Sequence, residues 1–416
     1  MTRKFLIATA LVLTAAVASL GALAATSADS TGVTKTSITL GGTFPLSGPA
    51  SSYAPIPAGM KAYFSYVNAR RGSDHKRGVY GRQIIWKYYD DGYNPANTVQ
   101  LTRKLVEQDK VFALVGGLGT EPQLAVRDYL NQAKVPQAFV STGATTWGLE
   151  YTQFPWSIGW QPDYQAEGAL YGKYIVANQK AAKIAVIYQN DDYGRDYLAG
   201  LKAGLGAQQA KIVSTQGFEV TAPSVASQVA ALKGSGADTF MILATPAKTI
   251  QTYATAAKLG WKPEHIYVNS VSATDTFMGL AVKNAGADIV NGSVSAAYLK
   301  DPANPKYAND PAMKLYRQVM KKYAPSANAN DSLYFYGVAK AEQFVQALYQ
   351  AGKNPTRESL IAALTHLNLK KDPFVLPGSA VKTTPNDHFP ISQMQLERFK
   401  DGTWTTFGPL IDGRGK

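Results

Sequence analysis

Small hydroxyl residues and glycines follow two apolar segments at a spacing that suits recognition of an anion. Gly119 and Thr120 come shortly after the apolar residues 111–115, and residues 141–145 (STGAT) end a second apolar segment, residues 137–141. Both segments are typical of buried parallel strands. Open α/β sheets bind ligands beyond the carboxyl ends of their strands. We therefore expect the two groups to lie together and to offer hydroxyls and backbone N–H groups to a carboxylate or another small anion.

Thr120 has two compatible roles. It precedes Pro122 and Gln123 in a capping-box pattern, which predicts that Thr120 is the N-cap of the next helix. Its hydroxyl and N–H could equally bind a carboxylate. Thr145 has the same two roles at the second turn. Tyr53 follows the turn after the first strand, and its ring either covers a ligand or packs in the core.

Alternating strands and helices must position these residues. The first series has predicted strands at residues 38–44, 83–89, 111–115 and 137–141, with helices at residues 60–68, 97–108 and from the Thr120 cap to about residue 133. This βαβ order predicts an α/β fold with a mostly parallel sheet and right-handed crossovers.

A second series of the same kind begins after residues 154–160, which contain two tryptophans and are predicted to cross between lobes. Its strands are predicted at residues 183–188, 212–220, 238–243, 265–269 and 292–298, and a hairpin around Asp401-Gly402 ends the chain. Asp192 and Tyr193 follow residues 183–188 at the matching edge. We expect Asp192 to cap the next helix and Tyr193 to face a cleft between two lobes, which would close on a ligand as a hinged clamp.

The chain length of 416 residues favours two domains. We predict a signal peptide at residues 1–24, one lobe from residues 33–157 and 299–376, and the other from residues 158–298 and 377–416. The hinge crossings are then expected near residues 157, 298 and 377.

The N-terminus predicts export. Arg3 and Lys4 precede an alanine-rich apolar segment at residues 5–23, and residues 22–24 (Ala-Leu-Ala) fit a cleavage site. The alternative is a membrane anchor, because the apolar segment is nearly long enough to span a bilayer. The chain has no cysteine, which excludes disulfides and a lipid anchor on a cysteine. We therefore expect a protein of the periplasm that is not lipid-anchored.

The residue types do not assemble a catalytic set. The four histidines are far apart and stand outside HExxH spacing, and neither a G-x-S-x-G elbow nor a P-loop occurs. We expect no enzymatic activity, no cofactor and no metal, and we expect all four histidines at the surface. The formal charge of +13 is scattered, which argues against nucleic-acid binding and favours mild attraction of anionic solutes.

Short motifs in a specific order carry a family resemblance. These are residues 44–49 (FPLSGP), 81–82 (GR), 89–91 (YDD), 114–116 (LVG), 141–145 (STGAT), 192–194 (DYG) and 401–402 (DG). With them the chain resembles the periplasmic leucine/isoleucine/valine-binding proteins, which are receptors of branched-chain amino acid ABC importers. The resemblance implies the type I periplasmic binding fold, with two Rossmann-like lobes joined by a multi-strand hinge. It also implies a membrane ABC permease as partner, a small-molecule carboxylate as ligand, and a monomer.

The resemblance assigns site residues as well. Thr120, Gly143 and Thr145 would hold the carboxylate and amino group of the ligand, with Gly119 and Ala144 beside them. Tyr53 and Tyr193 would wall the side-chain pocket.

The second lobe departs from the family pattern. Ala244-Thr245 stands where the amino-acid receptors have a tyrosine, and Ser270 stands where they have the glutamate that pairs with the ligand ammonium. Loss of that carboxylate removes a charge-assisted hydrogen bond. We therefore expect an aromatic or aliphatic organic acid as ligand. The alternative is a true branched-chain amino acid receptor in which Asp192 or Asp275 replaces the glutamate. An exported enzyme and a ligand sensor subunit are less favoured.

Overall fold

The computed structural model describes residues 29–72 and 74–414. The predicted signal peptide lies outside these residues. Within them the strands are β1 Ser37–Phe44, β2 Gln83–Asp90, β3 Ala113–Val115, β4 Gln137–Val140, β5 Ser157–Gly159, β6 Ile184–Gln189, β7 Ile212–Phe218, β8 Thr239–Leu243, β9 His265–Val268, β10 Val294–Ala297, β11 Asn368–Leu369, β12 Val381–Lys382, β13 Gln393–Lys400, β14 Thr403–Thr406 and β15 Ile411–Asp412.

The α-helices of the same residues alternate with these strands. They are α1 Pro55–Ala69, α2 Pro95–Arg103, α3 Thr120–Gln132, α4 Thr146–Leu149, α5 Tyr164–Asn178, α6 Asp192–Leu205, α7 Ala226–Gly234, α8 Pro246–Lys258, α9 Asp275–Ala285, α10 Ala287–Val290, α11 Pro311–Tyr323, α12 Ser332–Ala351 and α13 Arg357–Leu364. None of these helices is long and apolar enough to cross a membrane.

Two sheets repeat one strand order. The first sheet runs β2-β1-β3-β4-β5, and every neighbouring pair is parallel. The second begins in the same way with β7-β6-β8-β9-β10, also parallel, and then adds β13 and β14 in antiparallel pairing. The predicted α/β fold with mostly parallel sheets is therefore confirmed. The order reverses between β1 and β3 and again between β6 and β8, which is where such sheets bind ligands.

The chain connects the two sheets through paired segments. Leu299 forms an antiparallel bridge with Val375, and the N–H of Lys300 donates to the carbonyl of Phe374 at 3.0 Å. Helices α11 and α12 lie against α1, beside the first sheet, whereas β13 and β14 belong to the second. The division into lobes near residues 157, 298 and 377 stays a prediction.

Helices α5 and α6 approach each other unusually closely. Gly168 and Gly172 of α5 face Gly200 and Gly204 of α6, and a Cβ at any of these positions would lie 2.1–2.6 Å from a backbone oxygen of the facing helix. Only glycine permits this contact, and it fixes the spacing of the two helices. Several aromatic side chains near the cleft project from this helix pair.

Two local predictions, both of helix caps, were wrong. The N-cap of α3 is Gly119, at φ 106°, and Thr120 is the first helical residue, so the predicted capping box is absent. Asp191, not Asp192, caps α6 by accepting from the Gly194 N–H at 3.2 Å. The strand β5, which lies within the predicted crossing at residues 154–160, and the helix α9 were not predicted. The Asp401-Gly402 hairpin between β13 and β14 is confirmed.

Candidate functional site

A cavity lies at the carboxyl ends of the strands of both sheets. It encloses about 980 Å³ of space, counted out to its solvent-open mouth. Six predicted site residues line it, and they follow the carboxyl ends of the five strands β1, β3, β6, β8 and β9: Tyr53, Gly119, Thr120, Tyr193, Thr245 and Ser270. The two sheet edges therefore contribute to one site, as open α/β sheets do at their strand-order reversals.

Three predicted site residues support the wall without lining the cavity. The carbonyl of Gly143 accepts from the Tyr164 N–H at 2.8 Å, and the N–H of Ala144 donates to Thr142 Oγ1 at 3.1 Å. Thr145 donates from Oγ1 to Asp163 at 2.6 Å and from its N–H to Asp196 at 2.8 Å. Ser141 and Thr142 of the same turn line the cavity instead.

The first sheet contributes a cluster of hydrogen-bonding groups. Thr120 Oγ1 and Thr142 Oγ1 are 2.7 Å apart, and the N–H of Gly119 donates to the carbonyl of Ser141 at 3.3 Å. The predicted neighbourhood of these two turns is confirmed. The first N–H groups of α3 have no partner within the helix and carry its positive dipole end. A Cβ on Gly119 would lie 2.5 Å from the Tyr93 ring, which is closer than contact distance. Glycine therefore lets the backbone at position 119 pack against this ring at the cavity wall.

A buried lysine stands behind this cluster. Lys340 of α12 has none of its surface exposed, and its Nζ donates to Ser141 Oγ and, at 3.3 Å, to the hydroxyl of Tyr336. The ammonium also lies 4.6 Å from the centroid of the Trp160 ring. In the described part of the chain no carboxylate forms an ion pair with Lys340. Burial therefore lowers the pKa of Lys340 well below its usual range.

Aromatic rings form a large part of the remaining wall. Tyr53 donates from its hydroxyl to the carbonyl of Val271 at 3.1 Å, which joins the two sheet edges, and its ring meets Phe277 edge-on. Tyr164 lies edge-on to Tyr193 with centroids 5.2 Å apart. Such a wall suits an apolar or aromatic ligand body.

Ser270 is tied to a carboxylate that does not reach the cavity. Its N–H and Oγ donate to the two oxygens of Glu167 at 2.7 and 2.6 Å. Tyr171 and Tyr197 donate to the same carboxylate at 2.7 and 2.9 Å. Burial raises the pKa of Glu167, although these hydrogen bonds oppose the shift. Glu167 is 1% exposed and its acceptors are occupied, so it does not replace the glutamate that is missing at position 270.

Sequence reasoning missed Lys340, Tyr93 and Tyr164 as parts of the site or its support. A signal existed for Lys340, because it is the single lysine of α12 and residues 332–341 of that helix contain no other charged residue. The expectation of four surface histidines was also wrong: His388 is 2% exposed, and burial lowers its pKa. Among the described residues no group of His, Asp or Glu side chains is placed to hold a metal ion.

Comparison with known proteins gives one family match and several distant relatives. A family model described as "Periplasmic binding protein" matches residues 37–403. An amino acid binding protein of Pseudomonas aeruginosa is 26% identical over 161 residues, 39% of this chain and 42% of the relative. A leucine-specific-binding protein of Salmonella typhimurium is 23% identical, covering 46% and 50%. The chain thus spans about half the length of these two relatives. A Leu/Ile/Val-binding protein homologue of Brucella abortus is 22% identical, covering 76% and 78%.

Solved structures share the fold. A branched-chain amino acid ABC transporter protein of Thermus thermophilus with bound valine has a TM-score of 0.77 at 18% identity, covering 91% of this chain and 97% of the other. A fatty acid ABC transporter substrate-binding protein of Thermomonospora curvata has a TM-score of 0.74 at 22% identity, covering 92% and 94%. A solute binding protein of Rhodopseudomonas palustris BisB5 in complex with 3,4-dihydroxybenzoic acid has a TM-score of 0.72 at 19% identity, covering 91% and 98%.

Proposed function

The chain belongs to the periplasmic binding protein family, and we propose from this that it is a non-enzymatic receptor for a small solute that carries a carboxylate. The carboxylate binds at the cluster of Gly119, Thr120, Ser141 and Thr142, and the aromatic wall receives the body of the solute. The receptor acts in the periplasm as a monomer that is not lipid-anchored, and it delivers the solute to a membrane ABC permease. The two lobes close over the solute about their hinge.

The unpaired lysine behind the cluster is the observation that carries this proposal. An ammonium that is fully buried without a carboxylate partner is costly. A ligand carboxylate at Thr120 and Thr142 would lie beyond Ser141, whose Oγ bonds Lys340, so the anion would offset the buried charge. The positive end of α3 acts in the same direction. The site therefore favours an anion over a neutral solute.

The part of the cavity at the edge of the second sheet, around Ser270, favours an acid without an α-ammonium. Ser270 stands where the resemblance places a glutamate, and both of its donors are bound to Glu167. The aromatic wall suits a benzoate-type or aliphatic acid, and relatives of this fold include proteins named for a fatty acid and solved with 3,4-dihydroxybenzoic acid. The second candidate is a branched-chain amino acid receptor, because the curated relatives are named for leucine, isoleucine and valine and Asp275 lines the cavity.

Calorimetric titration of ligand-stripped protein tests the proposal. The panel contains benzoate-type acids and short aliphatic acids, with the amide of each as its uncharged control, and also leucine, isoleucine and valine. We expect an acid to bind, its amide to bind at least tenfold more weakly, and leucine to be silent. Tight binding of leucine would establish the second candidate. Chemical turnover of a bound solute would contradict the receptor assignment.

A further inference from the structure

A second part of the same cavity wall is acidic. Asp275 at the start of α9, Asp301 after β10 and Glu397 in β13 all line the cavity. Lys300 lines it as well, but its Nζ is 2.6 Å from the carboxylate of Asp310, so its charge is already paired. Among the described residues no lysine, arginine or histidine forms an ion pair with any of the three acids.

Glu397 is the most unusual of the three. Only 9% of its surface is exposed, and within the described chain no group donates a hydrogen bond to its carboxyl group. The charged groups that act on it are Asp301, Asp275 and Glu167, all of them acids. Burial, and then these neighbours, raise the pKa of Glu397 well above its usual range. A buried carboxyl group without a donor is unfavourable unless a partner arrives from the cavity.

Asp275 and Ser332 add unsatisfied polar atoms to the same wall. Asp275 Oδ1 and Ser332 Oγ are buried and have no hydrogen-bond partner. Asp301 is a close neighbour of Asp275, although its own carboxylate accepts from the Ala303 N–H at 2.9 Å. Burial and the adjacent Asp301 raise the pKa of Asp275 to about 8. In the described residues these acids are not disposed as ligands of one metal ion, which favours an organic cation as the partner.

We propose that Asp275, Asp301 and Glu397 bind a cationic group of the ligand, an ammonium or guanidinium remote from the carboxylate. This inference rests on the proposed function for the carboxylate half of the site. An ammonium offers three donors, and a guanidinium offers five, to a wall in which Asp275 Oδ1 and, among the described residues, the Glu397 carboxyl group receive no hydrogen bond. The ligand class is then an acid with a distal basic group, such as an ω-amino or guanidino acid. Asp301 and Glu397 also line a neighbouring smaller cavity, which leaves room for an extended ligand.

Matched probes of three chain lengths test the inference by calorimetry on the ligand-stripped protein. The pairs are butanoate with 4-aminobutanoate, hexanoate with 6-aminohexanoate, and octanoate with 8-aminooctanoate. Hexylamine tests the acidic wall without any carboxylate. We expect the amino acid of at least one pair to bind tenfold or more tightly than its parent acid. The inference is overturned if no amino acid binds more tightly than its parent.

Variants assign the effect to the acidic wall. We expect Glu397→Gln, and separately Asp275→Asn, to reduce the preference for the amine to less than threefold while the parent acid keeps its affinity. Glu342→Gln is the matched control, because Glu342 is a buried carboxyl group outside the cavity lining. This variant should prefer the amino acid over its parent acid as strongly as the unmodified protein does. Thermal unfolding and circular dichroism verify that each variant is folded.

The probes also separate this inference from the proposed function. If hexanoate binds and the amines bind no better, the carboxylate site stands and the cation subsite is refuted. If hexylamine binds, loses affinity in Glu397→Gln, and no parent acid binds, the cation subsite stands and the carboxylate site is refuted. If none of the probes binds, both are refuted for solutes of this class.

Discussion

Lys340 donates a hydrogen bond from Nζ to Ser141 Oγ, directly behind the cluster assigned to the ligand carboxylate. Ser141 in turn donates to the carbonyl of Gly116 at 2.7 Å, so its hydroxyl is oriented by both partners. The lysine therefore acts on the cavity through a fixed serine. The Lys340 side chain itself is fully buried.

Removing this ammonium should weaken binding without weakening the fold. In Lys340→Met we expect the affinity for the best acid of the panel to fall about tenfold or more, or about 1.4 kcal/mol. The free energy of unfolding should be unchanged or higher, because a buried amino group without a carboxylate partner is replaced by an apolar side chain of similar size. Lys248→Met is the control, since Lys248 is also buried but bonds the carbonyl of Ala222, away from the cavity. Calorimetry and urea denaturation measure the two effects, and unchanged affinity in Lys340→Met would contradict the proposed role.

Thr120 is expected to bind the ligand with its hydroxyl. Thr120→Val keeps the shape but removes the hydroxyl that lies 2.7 Å from Thr142 Oγ1. We expect a loss of about 1 kcal/mol in stability and a loss of affinity of about tenfold or more, the size of one hydrogen bond to a charged group. Thr98→Val should cost similar stability, because Thr98 donates to Asp91 at 3.0 Å, yet leave affinity intact. If Thr120→Val and Thr98→Val bind the ligand with equal affinity, Thr120 does not contact the ligand.

Tyr53 is expected to hold the cleft closed. Tyr53→Phe removes the hydroxyl that donates across the cleft to the carbonyl of Val271. Because the ring remains, we expect the ligand dissociation rate to rise about five- to tenfold with little change in the association rate. Tyr80→Phe removes an equivalent bond, to the carbonyl of Tyr349 at 3.0 Å, outside the cavity lining. Stopped-flow fluorescence should show that only Tyr53→Phe changes dissociation.

The buried acids predict that the empty protein is most stable at mildly acidic pH. Burial raises the pKa of Glu342 from 4.5 to about 7. The folded state then holds this proton more tightly than the unfolded state, so the free energy of unfolding falls as pH rises from about 4.5 to 7. The whole rise in the pKa of Glu342 corresponds to a contribution of about 3 kcal/mol to the free energy of unfolding. Glu342→Gln should make the urea midpoint less dependent on pH across this interval, and an unchanged dependence would contradict the assignment.

The sequence predicted the sheets well because buried parallel strands are short apolar segments, and such segments between turn residues have few other structural interpretations. Residues 111–115 and 137–141 contain β3 and β4, which are buried along their whole length. The pairing of their turns followed from the rule that parallel strands end at one edge. The strand β5 was missed because three residues between tryptophans and prolines carry no periodicity.

The details of the site were less predictable because they depend on contacts distant in sequence. Position 145 suited a carboxylate as well as a cap, yet Thr145 bonds Asp163 and Asp196 and leaves the cavity to Thr142. Glu397 lies in a strand of mixed polarity, where acids are ordinarily solvent-exposed. Its burial follows from the antiparallel addition of β13 to β10, which local sequence does not reveal.

The glycine contact between α5 and α6 constrains how the specificity of this protein could diverge. Tyr164 projects from one helix and Tyr193 from the other, and a side chain at any of the four facing glycines would force the two helices apart and shift both tyrosines. A homologue that binds a different ligand would then differ in individual side chains, while the spacing of α5 and α6 stays the same. We therefore expect paralogues with different solutes to vary at the aromatic positions while the four facing glycines persist.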